Sequence, residues 1–466
     1  MMTSAIMARR LGSTAGRRHA PIKGILLALI ATVDGFSYVN TVARERQRKL
    51  NSNIRQSTRL YSQHATITDS IRTAFEEDQT DGILKLSDLH LETDVDTLVE
   101  ATLDAIDDNR GHVASILNGF IGSCMFMEDE ATAASKACEL LETFEQLEEE
   151  KEIRPDTVTY SLAYNVINRD PASVDLANVA LQRAQRMSKK VAGTKRRKAL
   201  AASRRKKVSE SCKSVESDLK ELLGGDFEVL HESVDAFVIN KPSGISCFHK
   251  KKTTAGKVKK GKASHKSSDV SLEDALSLCG VPLSTLNPDA LGLVHRLDRG
   301  TSGCMVLAKT DQAHASLVSE FFLRKCEKQY TTIVAPAPLF STPDSGSIDM
   351  PVNGRPAKSE YHIVKRYDST AALVNFKTHT GRKHQVRVHA ATSDLASPVL
   401  NDHLYSREDR IPDLPDDVIE SDNAKARFFL HASSLSIPRY EINCQASLPS
   451  WWKPLLQSIQ NTSSED

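Results

Sequence analysis

Apolar residues along this chain follow two rhythms. Through the first 190 residues they recur at three-to-four spacing, which predicts helices over 95–106, 112–125, 131–147, 157–167 and 174–187. Pro155-Asp156 ahead of Thr157 is a helix start. From Phe227 the rhythm changes to short apolar runs bounded by turn residues. These predict strands over 227–230, 236–240, 329–334, 360–367 and 371–378, and a buried strand over 428–432. The segment 293–308 reads as strand, tight turn, strand, with Arg299-Gly300 at the turn. Between the strands, 311–325 is an amphipathic helix with Leu317, Val318, Phe321 and Phe322 on its apolar stripe, and another helix starts near Thr380. The fold class is therefore α+β. A domain of roughly 230 residues, over 223–460, is large enough for its own core and follows a smaller all-helical region over 69–188.

Charge adds a division that the net value of +1 hides. Residues 1–68 carry eleven Lys/Arg against Asp34 and Glu45, and their apolar run, Ile25 to Val33, is far below the roughly 20 residues that span a bilayer. An organelle presequence, plastid or mitochondrial, fits this stretch, with a disordered tail or a first helix of the fold as the alternative. Lys189 to Lys207 holds ten Lys/Arg and no acid, within a basic linker placed at 189–222. Linker, phosphate-binding patch and nuclear import signal all fit it, the last implying a nuclear or cytosolic enzyme instead. A Lys-rich insertion at 249–268 is either a phosphate-binding arm or a plain insertion. Arg154 to Tyr160 resembles the opening of a pentatricopeptide repeat, with a generic helical hairpin array as the alternative. Eight cysteines without a Cys-x-x-Cys pair argue for reduced thiols, and His384 and His389, five apart, do not share a helix face as metal ligands would.

Four blocks carry the chemistry. Asn240-Lys241-Pro242-Ser243-Gly244 ends a strand in a rigid turn. His295-Arg296-Leu297-Asp298, followed by Thr301-Ser302-Gly303, presents a carboxylate on a turn. Lys328-Gln329-Tyr330 begins a strand, and Gly381-Arg382-Lys383-His384-Gln385-Val386-Arg387 begins a helix. In this order, with Leu430-His431-Ala432 near the end, they resemble the RluA-type pseudouridine synthases, which isomerise uridine in rRNA or tRNA. The resemblance covers 223 to about 460 and implies a mixed or antiparallel sheet. It also implies Asp298 as nucleophile, Arg387 as its ion-pair partner and Tyr330 as the active-site tyrosine. Arg296, His295, Thr301, Ser302, Gly303, Lys241, Arg382, His384 and Gln385 are then the candidate substrate-binding residues. Asn401 departs from the family pattern, standing where a glycine usually precedes Asp402; Ala335 and Gly300 are lesser departures.

The isomerisation breaks N1–C1′, turns the base and rejoins it through C5. It needs no redox change, metal or other cofactor, and retaining glycosidases use a carboxylate at C1′ in the same way. The site must exclude water, and it must extract a stacked base. The expected partner is RNA, with no membrane and no metal, and the enzyme is expected to act as a monomer. A non-catalytic RNA-binding protein with a relic synthase fold is the alternative. It predicts decay at the nucleophile or its arginine, yet Asp298, Tyr330 and Arg387 all stand.

Overall fold

The computed structural model describes residues 110–151, 153–191, 215–248, 270–287, 290–336, 341–367, 370–406 and 427–462, with isolated positions between 67 and 102. The expected presequence at 1–68 (a few positions apart), the tract at 192–207 and the Lys-rich insertion at 249–268 lie outside these residues, and the predicted helix over 95–106 is described only at isolated positions.

Four helices open the described chain: α1 (Arg110–Ser123), α2 (Glu130–Lys151), α3 (Thr157–Ile167) and α4 (Val174–Val191). Asp156 caps α3 by accepting from the Thr159 backbone, and Thr159 returns the favour to the Asp156 N–H, satisfying two amides that a helix start leaves open. Every residue of α3 from Thr159 to Ile167 is buried, so neighbours surround it. The predicted linker gives way before residue 222: Val215–Leu223 forms α5, because Leu219 and Leu223, four apart, have an apolar surface to cover.

The sheet domain adds β1 (Glu228–Glu232), β2 (Ala236–Lys241), α6 (Leu272–Leu278), β3 (Ser302–Ala308), α7 (Asp311–Phe322), β4 (Glu327–Val334) and β5 (Ser345–Asp349). After these come β6 (Lys358–Tyr367), β7 (Ala371–Thr378), α8 (Gln385–Thr392), β8 (Leu430–Ile437), β9 (Ile442–Gln445) and α9 (Lys453–Thr462). The strand order is β1-β2-β3-β8-β4-β7-β6-β5, with β9 on β8. All pairings are antiparallel except β3 with β8. That parallel seam joins Ser302 to His431 and Gly303 to Ala432, and fuses two antiparallel halves into one mixed sheet.

β2 and β3 are buried along their whole length because both faces are covered. Phe237, Ile239, Met305 and Leu307 pack towards α5 and α6, while Val238, Cys304 and Val306 pack towards Leu317 of α7. Each such side chain contributes roughly 1.5–3 kcal/mol of burial. β6 instead alternates buried and exposed residues, as a strand with one wet face should.

Two expectations need correction. Residues 291–301 are loop, not strand: Leu293 makes a single bridge to Leu307, and the Leu-Val pair ends there. The helix expected near Thr380 begins at Gln385, because His384 sits in the left-handed region at φ +62° and breaks the run before it.

Candidate active site

Asp298 stands on a loop whose backbone is fastened from below by the Lys-Pro-Ser-Gly turn. Gly244 N–H donates to Arg299 O at 2.8 Å, Arg299 Nε donates to Gly244 O at 2.8 Å, and Ser243 Oγ donates to Gly300 O at 2.6 Å. Lys241 is fully buried at the end of β2. Its ammonium donates to Pro242 O and Ile245 O, both 2.9 Å, and reaches Arg299 O at 3.4 Å. Burial brings its pKa down to about 8, with Cys247 and Asp298 opposing. The carbonyl cage suits a charged lysine, which donates to three acceptors at once. Thr301 N–H closes the turn on Asp298 O at 3.1 Å.

Gly303 then lets β3 meet β8. At φ +113°, a Cβ would lie 2.2 Å from Ala432 O, so no larger residue fits the seam. Ser302 Oγ lies 2.9 Å from His431 Nδ1, and His431 Nε2 lies 3.1 Å from Ala446 O. Burial lowers the His431 pKa, leaving a neutral ring whose bonds assign the proton to Nε2. His295 accepts the Val306 N–H at 3.0 Å through Nε2 and stacks on Phe321 at 4.5 Å between ring centroids. Burial pushes its pKa down to about 3.

The loop before α8 forms the opposite wall. Gln385 spends its whole amide on the fold: Oε1 accepts from Thr380 Oγ1 and Arg382 N, and Nε2 donates to Lys358 O and Ser359 Oγ. Arg387 follows. Its Nε and a terminal nitrogen donate to the two Asp402 oxygens at 2.6 and 2.7 Å, while its other terminal nitrogen reaches Asp298 Oδ2 at 3.2 Å. Phe428 and Tyr405 flank the guanidinium at 4.4 and 5.1 Å. Burial alone would weaken its charge, but Asp402 and then Asp298 outweigh that and raise its pKa. His384 Nε2 stands 3.6 Å from Asp298 Oδ1, and its Nδ1 is 2.9 Å from the Tyr405 hydroxyl. Burial is the main cause that lowers the His384 pKa.

These walls enclose a hollow of about 260 Å³, close to the lower end of small-ligand pockets at roughly 300–1,000 Å³. Asp298, Tyr330 and Arg387 all line it, as do Arg296, Thr301, Arg382, His384 and Gln385. Burial and the Asp298 charge push the Tyr330 phenol up to about 12, against a hydrogen bond with Thr378 that lowers it. Arg296 is exposed at the mouth, its guanidinium 5.3 Å from the Phe248 ring. Four of the expected substrate contacts are placed elsewhere: His295, Ser302, Gly303 and Lys241 do not line the hollow, because their polar groups or backbone are committed to the loop and the β3–β8 seam. Asp402, Tyr405 and Thr378 were missed as site residues. Asp402 and Tyr405 are 15 and 18 residues from Arg387 across a loop, and no local pattern announces them. Asn401, however, explains its own departure: its φ is +63°, a conformation glycine adopts freely and asparagine tolerates.

Among the described residues no helix is long and apolar enough to cross a membrane, and no cluster of His, Cys, Asp or Glu could hold a metal ion.

The RNA pseudouridylate synthase family matches residues 235–392. An uncharacterized RNA pseudouridine synthase of Aquifex aeolicus is 34% identical over 192 residues, which span 38% of this chain and 55% of that protein. The ribosomal large subunit pseudouridine synthase D of Xanthomonas campestris is 30% identical over 254 residues, 50% of this chain and 70% of that one. An uncharacterized RNA pseudouridine synthase of Zymomonas mobilis is 31% identical over 242 residues, which are 47% of this chain and 93% of its own length. With a relative matched almost from end to end at that identity, the chain belongs to the RluA-type RNA pseudouridine synthases.

Proposed function

We propose that this protein isomerises uridine to pseudouridine in rRNA or tRNA, with Asp298 as nucleophile and no cofactor. One observation carries the reading: a carboxylate faces a nucleoside-sized hollow with a guanidinium 3.2 Å away, itself locked by a second carboxylate. Arg387 places a positive charge directly beside the carboxylate that meets C1′. The Asp298 oxygen meets C1′ as the N1–C1′ bond breaks and N1 leaves with the bonding pair. The detached uracil turns on the Tyr330 ring, which offers a flat apolar face. C5 then bonds to C1′, C5 loses its proton and N1 gains one. Tyr330 is a poor base for that proton with its pKa at about 12. Asp298, released in the same step, is the carboxylate lining the hollow that can take it.

Arg296, exposed beside the mouth, would fill the stack vacated by the flipped base. The name of the Xanthomonas campestris relative favours rRNA as the substrate. Asp298→Asn is expected to fold as the parent does and to form no pseudouridine in an assay on total RNA. Turnover near that of the parent would overturn the assignment. An organelle address in residues 1–68 is proposed beside this activity. A reporter carrying those residues should concentrate in plastids or mitochondria, and a diffuse signal would refute it.

A further inference from the structure

The hollow does not end at its own rim. Gly381, Arg382 and Lys383 line it, and the position of a Cβ on Gly381 is 4.0 Å from Lys328 Nζ. Lys328 also lies 5.9 Å from the Phe321 ring, at the end of α7. The turn after α7 brings Arg324, at φ +56°, and the exposed Lys325. Arg324 sits close enough to Arg382 and Lys328 to feel both. Burial and then Arg382 bring the Arg324 pKa down to about 10, and Lys328 is lowered by burial, with Cys326 opposing and Arg324 adding to the fall. Crowded like charges cost free energy in the empty protein and are relieved by an anion.

The helical region holds this turn in place. A Cβ on Gly122 of α1 would lie 3.3 Å from Phe322 and 3.4 Å from Leu323. Lys325 Nζ lies 5.4 Å from the Phe126 ring. The segment bearing Phe126 is itself tied by Arg169, which donates to the carbonyls of Cys124, Met125 and Met127. Asn165 of α3 donates from α3 into α7, to Ala315 O at 2.9 Å and Ser319 Oγ at 3.0 Å.

We propose that Lys328, Arg324 and Lys325 continue Arg382 and Lys383 into a ridge that carries the phosphates of the RNA strand flanking the target uridine, and that the helical region is the brace presenting it. This rests on the synthase reading above for its RNA partner. A sugar-phosphate strand supplies evenly spaced anions, which a row of cations leading away from a base-sized hollow would bind without reading sequence.

The test uses the full chain and a fluorescein-labelled RNA stem-loop with a looped-out uridine. Anisotropy is measured across a KCl series. Lys325→Gln/Lys328→Gln should weaken binding about tenfold at physiological salt. It should flatten the log Kd against log salt slope by roughly 0.7–0.9 for each lysine removed. Lys325→Arg/Lys328→Arg should restore both values. Lys453→Gln, which loses the same charge on α9, should change neither. Thermal melts check folding, and the single Lys325→Gln, an exposed position, serves if the pair unfolds. Parent-like affinity and slope in the double variant, or an equal change in the Lys453 control, would overturn the ridge. Pseudouridine formation is read in parallel. A parent protein that binds with the expected slopes yet yields no product sinks the synthase reading alone, and product formed with unmoved slopes sinks the ridge alone.

Discussion

Tyr330 and Arg387 show how burial assigns tasks to side chains. A phenol pushed up to about 12 stays protonated throughout the working range, so its ring and its O–H are what it offers the substrate. Tyr330→Phe keeps the ring and removes the O–H that meets Thr378. It should fold normally and lose about tenfold or more in kcat, in line with the loss of one positioned polar group. In the parent, kcat should also show no limb between pH 7 and 10 that Tyr330→Phe abolishes. A parent-like rate in that variant would remove the hydroxyl from the reaction. Arg387 makes the complementary point. Its planar fork serves Asp402 on one edge and Asp298 on another, a geometry that lysine, with a single charged point, does not reproduce.

At the scale of elements, the site is two loops, each held by hydrogen bonds from a neighbouring segment. The Asp298 loop is stapled by hydrogen bonds to the Lys241–Gly244 turn, and the loop before α8 is stapled by the Gln385 amide. The Asp298 loop runs directly into β3, whose close seam with β8 rests on Gly303. Gly303→Ala puts a methyl into the Ala432 backbone and a side chain at φ +113°. It should cost about 3 kcal/mol or more, the sum of overpacking and backbone strain. A urea midpoint equal to the parent's would refute the seam's role. Most strands were legible in sequence, and β7 begins and ends where the apolar alternation does, but β5 and β9, short and without a clear apolar run, were not. So was the convergence of Asp298, Tyr330 and Arg387, since each sits in a block with recognisable neighbours. Two things were not legible. His384 falls inside the helix expected from near Thr380, and only its left-handed backbone moves the helix start to Gln385. Lys241, Ser302 and His295 have the polarity of ligand contacts, and only the three-dimensional fold shows their groups spent on carbonyls, an imidazole and an amide.

Across the whole molecule, the core of the helical region reaches into the sheet domain. Leu286 and Ala315 of the sheet domain are buried in the same cluster as Phe120, Leu162 and Val166, and Phe322 packs against it. The buried helix α3 therefore has its face against α7, which a free-standing repeat array would leave to solvent. A core that reaches across should also make acid sensitivity a property of the whole. His314 of α7 is 2% exposed, with Nδ1 lacking a hydrogen-bond partner among the described residues, and burial holds its pKa at about 4; His295 is held at about 3. Both are near 6.5 in the unfolded chain. Above that value neither state binds a proton, so neither histidine affects stability. Below it the unfolded chain takes up protons that the folded chain refuses, so stability falls by about 1.4 kcal/mol per pH unit for each histidine. The fall continues until pH reaches the folded values, near 3 and 4. Lowered pKa values at His384, His389 and His431 act with the same sign. Moving from pH 7.5 to pH 5 should therefore cost about 2 kcal/mol for each of His295 and His314. Urea titrations at the two pH values should show the midpoint dropping for the helical and sheet parts together, followed by helix circular dichroism and by the fluorescence of the Trp451–Trp452 pair. An unchanged midpoint at pH 5 would mean that these rings accept protons in place, and two separate transitions would mean that the core does not couple the two parts.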